Sequence, residues 1–349
     1  MSAPLFNLLL FALGAVLAAV LFWPGRGLVA RGRRGRDLAS RVLLEDALKH
    51  LYHHEARGQT CTLASIGGAL EISATRAVDL VHRMQHTGLV VIADGRILLS
   101  EHGARYALEV VRAHRLWERY LADHTGIDPL QWHERAERRE HLLSREETDA
   151  LAERLGHPRF DPHGDPIPTA DGVVPTTEVI TLSRLASGET AVITHLEDEP
   201  AIVYSQLVAL GIYPGMEVRM DARTDERLVF EADGRKVVLA PLLAENVSIR
   251  RLRDEDVVEC GEETVVLAAL AAGEFADVVR VSRACRGLER RRLMDLGVVP
   301  GTRIEFVREG LTGGLKAYRV RGTTIALRGE QAAMIVVRRA DGAGQARGA

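Results

Sequence analysis

Pro129–Leu143 reads PLQWHERAERREHLL, and in it His133, Glu137, Glu140 and His141 fall at i, i+4, i+7 and i+8, one face of a 3.6-residue repeat. Just upstream, Ala113–Asp123 reads AHRLWERYLAD and sets His114 four residues before Glu118. A connection of about five residues predicts two antiparallel helices able to bring six imidazole and carboxylate groups together. Nitrogen and oxygen donors without a thiolate suit Mn(II), Fe(II) or Zn(II). Helices rich in Glu and Arg also form solvated faces laced with i,i+4 pairs, and Arg115, Arg119, Arg135, Arg138 and Arg139 supply such partners. The segments on either side decide between these readings.

The chain has 349 residues, 46% of them hydrophobic, enough for several small cores. A net charge of -3 argues against global attraction to nucleic acid, although a local basic surface remains open. Cys61, Cys260 and Cys285 are isolated, without a Cys-x-x-Cys pair, which excludes a disulfide framework and fits a reducing compartment. The Glu-x-x-His pairs of di-iron bundles are missing from the Pro129–Leu143 helix, and no Gly-rich phosphate loop or nucleophile elbow appears. An enzyme is not expected.

At the N-terminus, Leu5–Trp23 (LFNLLLFALGAVLAAVLFW) is apolar except for Asn7, and Arg26, Arg31, Arg33, Arg34 and Arg36 follow. That pattern predicts a transmembrane helix with the rest of the chain held in the cytoplasm. A cleaved signal peptide is the rival, since Leu17-Ala18-Ala19 resembles a cleavage site. Beyond it, Asp37–Glu55 and Leu63–Leu70 read as helices. Ser73–His86 reads as a third, with Ser73 as N-cap and Ala77, Val78, Val81 and Met84 as a stripe. A hairpin around Asp94-Gly95 completes a winged helix-turn-helix, whose third helix would enter a major groove.

In order and content, residues from about Val42 to Pro168 resemble the metal-dependent repressor family typified by the diphtheria toxin repressor and the manganese transport regulator. The carrying stretches are LEDALKHLYHHEARG, SATRAVDLVHRMQHTGLV, EHGARYALEVVRAHRLWERYL, WHERAERREHLLS and DPHGDPIP. The resemblance implies a helical domain for metal binding and dimerisation after the winged helix. It implies ligand roles for Asp46, His114, Glu137, Glu140 and His141, with Glu118 and His133 in a neighbouring ancillary site. Glu137 stands where iron-type members have a cysteine and Asp46 where they have a methionine, so the expectation moves toward manganese. Lys49 stands where manganese-type members carry a further carboxylate, which argues against a second ion in that pocket. On the third helix, Ser73, Thr75, Arg76 and Arg83 are the expected DNA contacts, while Val78 and Asp79 replace the polar groups usual there.

After a linker at Thr169–Thr177, the chain repeats itself. SQLVALGIYPGMEVRM (Ser205–Met220) returns as RRLMDLGVVPGTRIEF (Arg291–Phe306), with Gly211, Pro214 and Gly215 matched by Gly297, Pro300 and Gly301, 86 residues on. Each copy reads as a small β-barrel and resembles the SH3-like FeoA domain of ferrous iron transport.

The expected fold is therefore multi-domain α+β. It runs as an anchor and basic flank (1–36), a winged helix-turn-helix (37–104), a helical metal-binding and dimerisation domain (105–172), and two FeoA-like SH3-type domains (176–253 and 262–340). The expected function is a Mn(II)- or Fe(II)-responsive transcriptional regulator, homodimeric and tethered to the cell membrane, with operator DNA as partner and Zn(II) as a further admissible ion. The competing expectation is a membrane-bound metal sensor or accessory of a ferrous iron transporter that works through its FeoA-like domains without DNA.

Overall fold

The computed structural model describes residues 20, 21, 23, 28–175, 180–232, 235–252, 264–282, 285–310 and 314–340. They fall into two compact units, considered separately below. The first is the chain up to Ala113 together with Glu140–Arg145 and Ala170–Gly172; the second is His114–Arg139, Glu146–Thr169 and the chain from Val173 on.

The first unit begins with α1 (Leu28–Ala56), α2 (Leu63–Ala69) and α3 (Ala74–His86), then β1 (Val90–Ala93) and β2 (Arg96–Leu99). Ser73 caps α3 by accepting the Arg76 backbone N–H at 3.4 Å, and Thr62 caps α2 by accepting from Ser65 at 3.2 Å. The buried stripe of α3 is Ala77, Leu80, Val81 and Met84. Val78, expected in that stripe, faces solvent, because a helix surface presents i, i+3, i+4 and i+7 and turns residue i+1 away. Asp94 and Gly95 both take positive φ, 51° and 74°, so β1 and β2 are joined by the primed turn that suits the strand twist. Leu48 and Leu51 from α1 meet Ile66, Leu80, Met84, Leu89 and Ile97 in one core.

The helix α4 (Glu101–His124) runs from the first unit into the second, followed by a 3-10 turn (Pro129–Gln131), α5 (Trp132–Glu140) and α6 (Arg145–Arg154). The Pro129–Leu143 stretch is thus a shorter helix than its periodicity predicts, and His141 lies in the turn after it.

Two sheets complete the second unit. The first copy holds β3 (Ile180–Thr181), β4 (Thr190–Leu196), α7 (Ala201–Ala209), β5 (Glu217–Arg223), β6 (Leu228–Ala232), β7 (Arg235–Leu239), α8 (Pro241–Ala244) and β8 (Val247–Arg251). The second holds β9 (Thr264–Val266), β10 (Phe275–Val281), α9 (Gly287–Asp295), β11 (Arg303–Glu309), β12 (Leu315–Val320), β13 (Thr323–Arg328), α10 (Gly329–Ala333) and β14 (Ile335–Ala340). Strand order is β3-β8-β4-β5-β6-β7 in one and β9-β14-β10-β11-β12-β13 in the other, the same path taken twice. The Pro-Gly turns do the same work in both: Gly215 N–H donates to Ile193 O at 2.6 Å, and Gly301 N–H to Val278 O at 2.7 Å.

Two expectations are corrected. Neither sheet closes into a barrel among the described residues, because the end strands β3 and β7, and β9 and β13, do not pair. At two and three residues, β3 and β9 are too short to bridge that gap. The cell-membrane location does not stand either: no helix among the described residues is long and apolar enough to cross a membrane. Leu5–Trp23 lies outside those residues except for Val20, Leu21 and Trp23. Arg31, Arg33, Arg34 and Arg36, read as a membrane flank, instead belong to α1, a strongly charged helix.

Candidate metal centres and the family they belong to

In the first unit, α1 brings Asp46 to Glu140 and His141. His141 Nε2 stands 3.1 Å from Asp46 Oδ1 and 3.5 Å from Glu140 Oε1. Its other nitrogen is fixed: Nδ1 bonds Glu45 Oε2 at 2.7 Å. Glu45 is buried and also accepts from Tyr106 OH and Arg41 Nε, each at 2.6 Å. Burial alone would favour the neutral acid, but His141, Tyr106 and Arg41 together hold its carboxyl below the usual range. A carboxylate locking one imidazole nitrogen so that the other faces a donor set is how metal-site histidines are oriented. One imidazole and two carboxylates make a hard set suited to Mn(II) or Fe(II). Burial opposes charge on His141, yet Asp46 and Glu45 push it up to about 9, so without an ion a proton balances these acids. Lys49 Nζ bonds Glu140 Oε1 at 2.8 Å, placing a fixed cation beside the donors.

The second unit holds another set. Helical spacing on α4 puts His114 Nε2 3.1 Å from Glu118 Oε1. His133, at the start of α5, brings Nδ1 to 3.4 Å from the same oxygen and 3.0 Å from Asp198 Oδ2. His163 Nδ1 lies 3.5 Å from Glu118 Oε2 and 3.8 Å from Asp198 Oδ2. The nitrogens Nδ1 of His133 and of His163 are buried, and neither makes a well-directed hydrogen bond. Such atoms, close to several carboxylate oxygens but angled at none of them, fit donors converging on a shared cation. Burial opposes ionisation of Glu118, and the charges of His114 and His163 outweigh it and hold its carboxyl well below the usual range. Burial likewise opposes charge on His163, and Glu118 prevails, pushing it up to about 9.

His163 is set by its loop. Asp161 Oδ1 accepts the backbone N–H groups of His163, Gly164 and Asp165 at 2.8, 2.8 and 2.9 Å. Arg115 donates to Pro166 O at 2.6 Å and to Asp165 Oδ1 at 3.2 Å. The first FeoA copy joins in, with Leu196 N–H on His163 O at 2.9 Å and the Tyr204 ring edge-on to the imidazole at 5.0 Å.

The residues named from sequence are thus divided. Asp46, Glu140 and His141 come together, as do His114, Glu118 and His133. Glu137 Oε1 stands 3.5 Å from His133 Nε2, its i,i+4 neighbour. His114 and Glu137, which the resemblance groups with Asp46, have their described partners in the second unit. Ser73, Thr75, Arg76 and Arg83 are all exposed on α3, as are Val78 and Asp79. Glu45, His163 and Asp198 were not singled out. Asp198 sits in the acidic loop EDEP, which looks like any solvated turn, and Glu45 was legible only as the i+4 partner of Arg41.

A model of the iron-dependent repressor metal binding and dimerisation domain matches residues 100–169, and a FeoA domain model matches 180–251 and again 265–339. The diphtheria toxin repressor of Corynebacterium diphtheriae is 32% identical over 216 residues, which span 59% of this chain and 95% of that protein. The chain belongs to the diphtheria toxin repressor family. Another relative of the family, the iron-dependent repressor IdeR of Mycobacterium leprae, is 28% identical over 208 residues, 56% of this chain and 90% of its own. Among solved structures, a manganese-dependent transcriptional repressor in complex with manganese superposes with a TM-score of 0.55 at 29% identity, covering 60% of this chain and 99% of that one. The family consists of metal-dependent transcriptional repressors and not of enzymes.

Proposed function

We propose that this chain is a metal-responsive transcriptional regulator, active as a dimer on operator DNA, with Asp46, Glu140 and His141 as the regulatory ligand set. The observation that carries the reading is the placement of Asp46. It lies on α1, the helix whose Leu48 and Leu51 build the core of the winged helix-turn-helix, so a group held by Asp46 bears on the DNA-binding module. A divalent ion, Mn(II) or Fe(II), supplies the charge that lets Asp46 and Glu140 share one centre. Without it their carboxylates repel, and the protonated His141 and Lys49 offset them. Glu45 keeps the His141 ring oriented in either state. Arg76 and Arg83, exposed on α3, contact phosphate or guanine, and Asp79 accepts from cytosine where the sequence allows. His114, Glu118, His133, His163 and Asp198 form the second set, to which the first FeoA copy, an SH3-like module in this reading, contributes a carboxylate. The transporter-accessory alternative is not favoured, since relatives matched over nearly their whole length are named repressors.

Electrophoretic mobility of promoter DNA with the full chain, with and without Mn(II) at one low salt concentration, tests the function. Mn(II) should tighten binding by about 5- to 150-fold, the usual size of such coupling. Arg76→Ala should weaken the complex by about 1–3 kcal/mol. A complex indifferent to Mn(II) would reject the regulator reading.

Lys49 gives a second test. Its ammonium is partly exposed and hydrogen-bonded to a candidate ligand, so it opposes an incoming cation through a largely screened but short-range repulsion. Lys49→Gln should raise Mn(II) affinity of the Asp46 set by roughly tenfold. Isothermal titration showing weaker binding would mean that Lys49 serves to hold Glu140 in place.

A further inference from the structure

The two FeoA copies differ in the segment between their second strand and first helix. In the first copy this loop is EDEP (197–200), and its Asp198 approaches His133 and His163. In the second copy it is SRACR (282–286), one residue longer and basic instead of acidic. Its last residue, Arg286, is half-buried with its Nη1 fully covered: Nη2 donates to Pro162 O at 3.2 Å, and the guanidinium lies over the Trp132 ring at 5.7 Å. Trp132 in turn has its ring centroid 6.0 Å from that of His163. The next residue seals the approach, for Gly287 has φ +56° and a Cβ built there would fall 2.2 Å from Thr125 O, at the end of α4.

We propose that Arg286 is a positioning residue for the second metal-binding set, through which the second FeoA copy braces the loop that carries His163. Its backbone contact is on the residue before His163, and its stacking contact is on the ring packed near that imidazole. Burying a guanidinium is costly, and a surface-docked domain gains nothing from that cost. At this position Arg286 restrains Pro162 and Trp132, two of the neighbours of His163. Relatives of the family matched over 90–95% of their own length account for only 56–59% of this chain, which carries the FeoA domain twice. The inference rests on the second set binding metal.

The test is Mn(II) titration by calorimetry of the full chain carrying His141→Ala, which leaves the second set as the binding centre. Adding Arg286→Gln should weaken binding by about 10- to 100-fold, the range for partners one step removed from a ligand. It should also speed hydrogen exchange across 161–167 with the far-ultraviolet circular dichroism unchanged. Arg286→Lys should restore little, because an ammonium cannot stack its plane on Trp132, and it carries the test should the Gln variant fail to fold. Affinity and exchange unaltered by either substitution would overturn the brace alone. Absence of Mn(II) binding in the His141→Ala parent would overturn the metal reading of this set, and the brace with it.

Discussion

Replacing His141 by Ala should weaken Mn(II) binding at the Asp46 set by more than about a hundredfold and abolish the Mn(II)-dependent part of DNA binding. Partners one step behind a ligand are already worth about 10–100-fold in affinity, and His141 is the only imidazole of its set among the described residues. Its removal also strands Glu45, a buried carboxylate that would keep Tyr106 and Arg41 but lose its third partner. Glu45→Gln keeps the shape and removes the charge behind the ring, so its loss of affinity should lie between wild type and His141→Ala. Calorimetric titration of the full chain reads both. An unchanged titration for His141→Ala would remove it from the ligand set, whatever happened to DNA binding.

Gly164→Ala should destabilise the second unit strongly. Gly164 has φ +100°, a backbone region that L residues rarely adopt. The added Cβ would also fall 1.9 Å from Thr194 O and 2.8 Å from His195 Cα on β4. Backbone strain of about 1–2 kcal/mol and overpacking of about 1–3 kcal/mol predict a total near 3 kcal/mol. Because Gly164 adjoins His163, the separation of loop and strand should also cost the second set most of its Mn(II) affinity, while the Asp46 set keeps its own. Thermal unfolding followed by titration checks both parts. A melting temperature equal to wild type would mean that β4 moves aside at no cost.

The legible parts of the molecule were those with a period. The α3 stripe and the Asp-Gly hairpin follow from local spacing, and the duplicated Leu-Gly-x-x-Pro-Gly led to two sheets with one strand order. Glu140 and His141 came from helical spacing and Asp46 from the family resemblance, and the structure brings the three together. What spacing could not show was how the face of Pro129–Leu143 divides. An ideal helix aligns His133, Glu137, Glu140 and His141, but α5 ends at Glu140 and the chain turns. Asp198, Glu45 and Arg286 carry no local signature, because each acts on a partner far along the chain or across a loop. The barrel expectation failed for a related reason: closure depends on how the two edge strands are brought together, which alternation of apolar residues does not measure. The membrane expectation rested on an apolar run and the arginines that follow it, and the described helices do not support it.

The single oxygen of Asp161 gathers three successive amide protons, a consequence of which falls on the neighbouring histidine. The bend is shaped by the chain's own acid, so the imidazole stands ready in its socket before any cation arrives. The three amide bonds thus fix the backbone beside His163 by contacts internal to the loop.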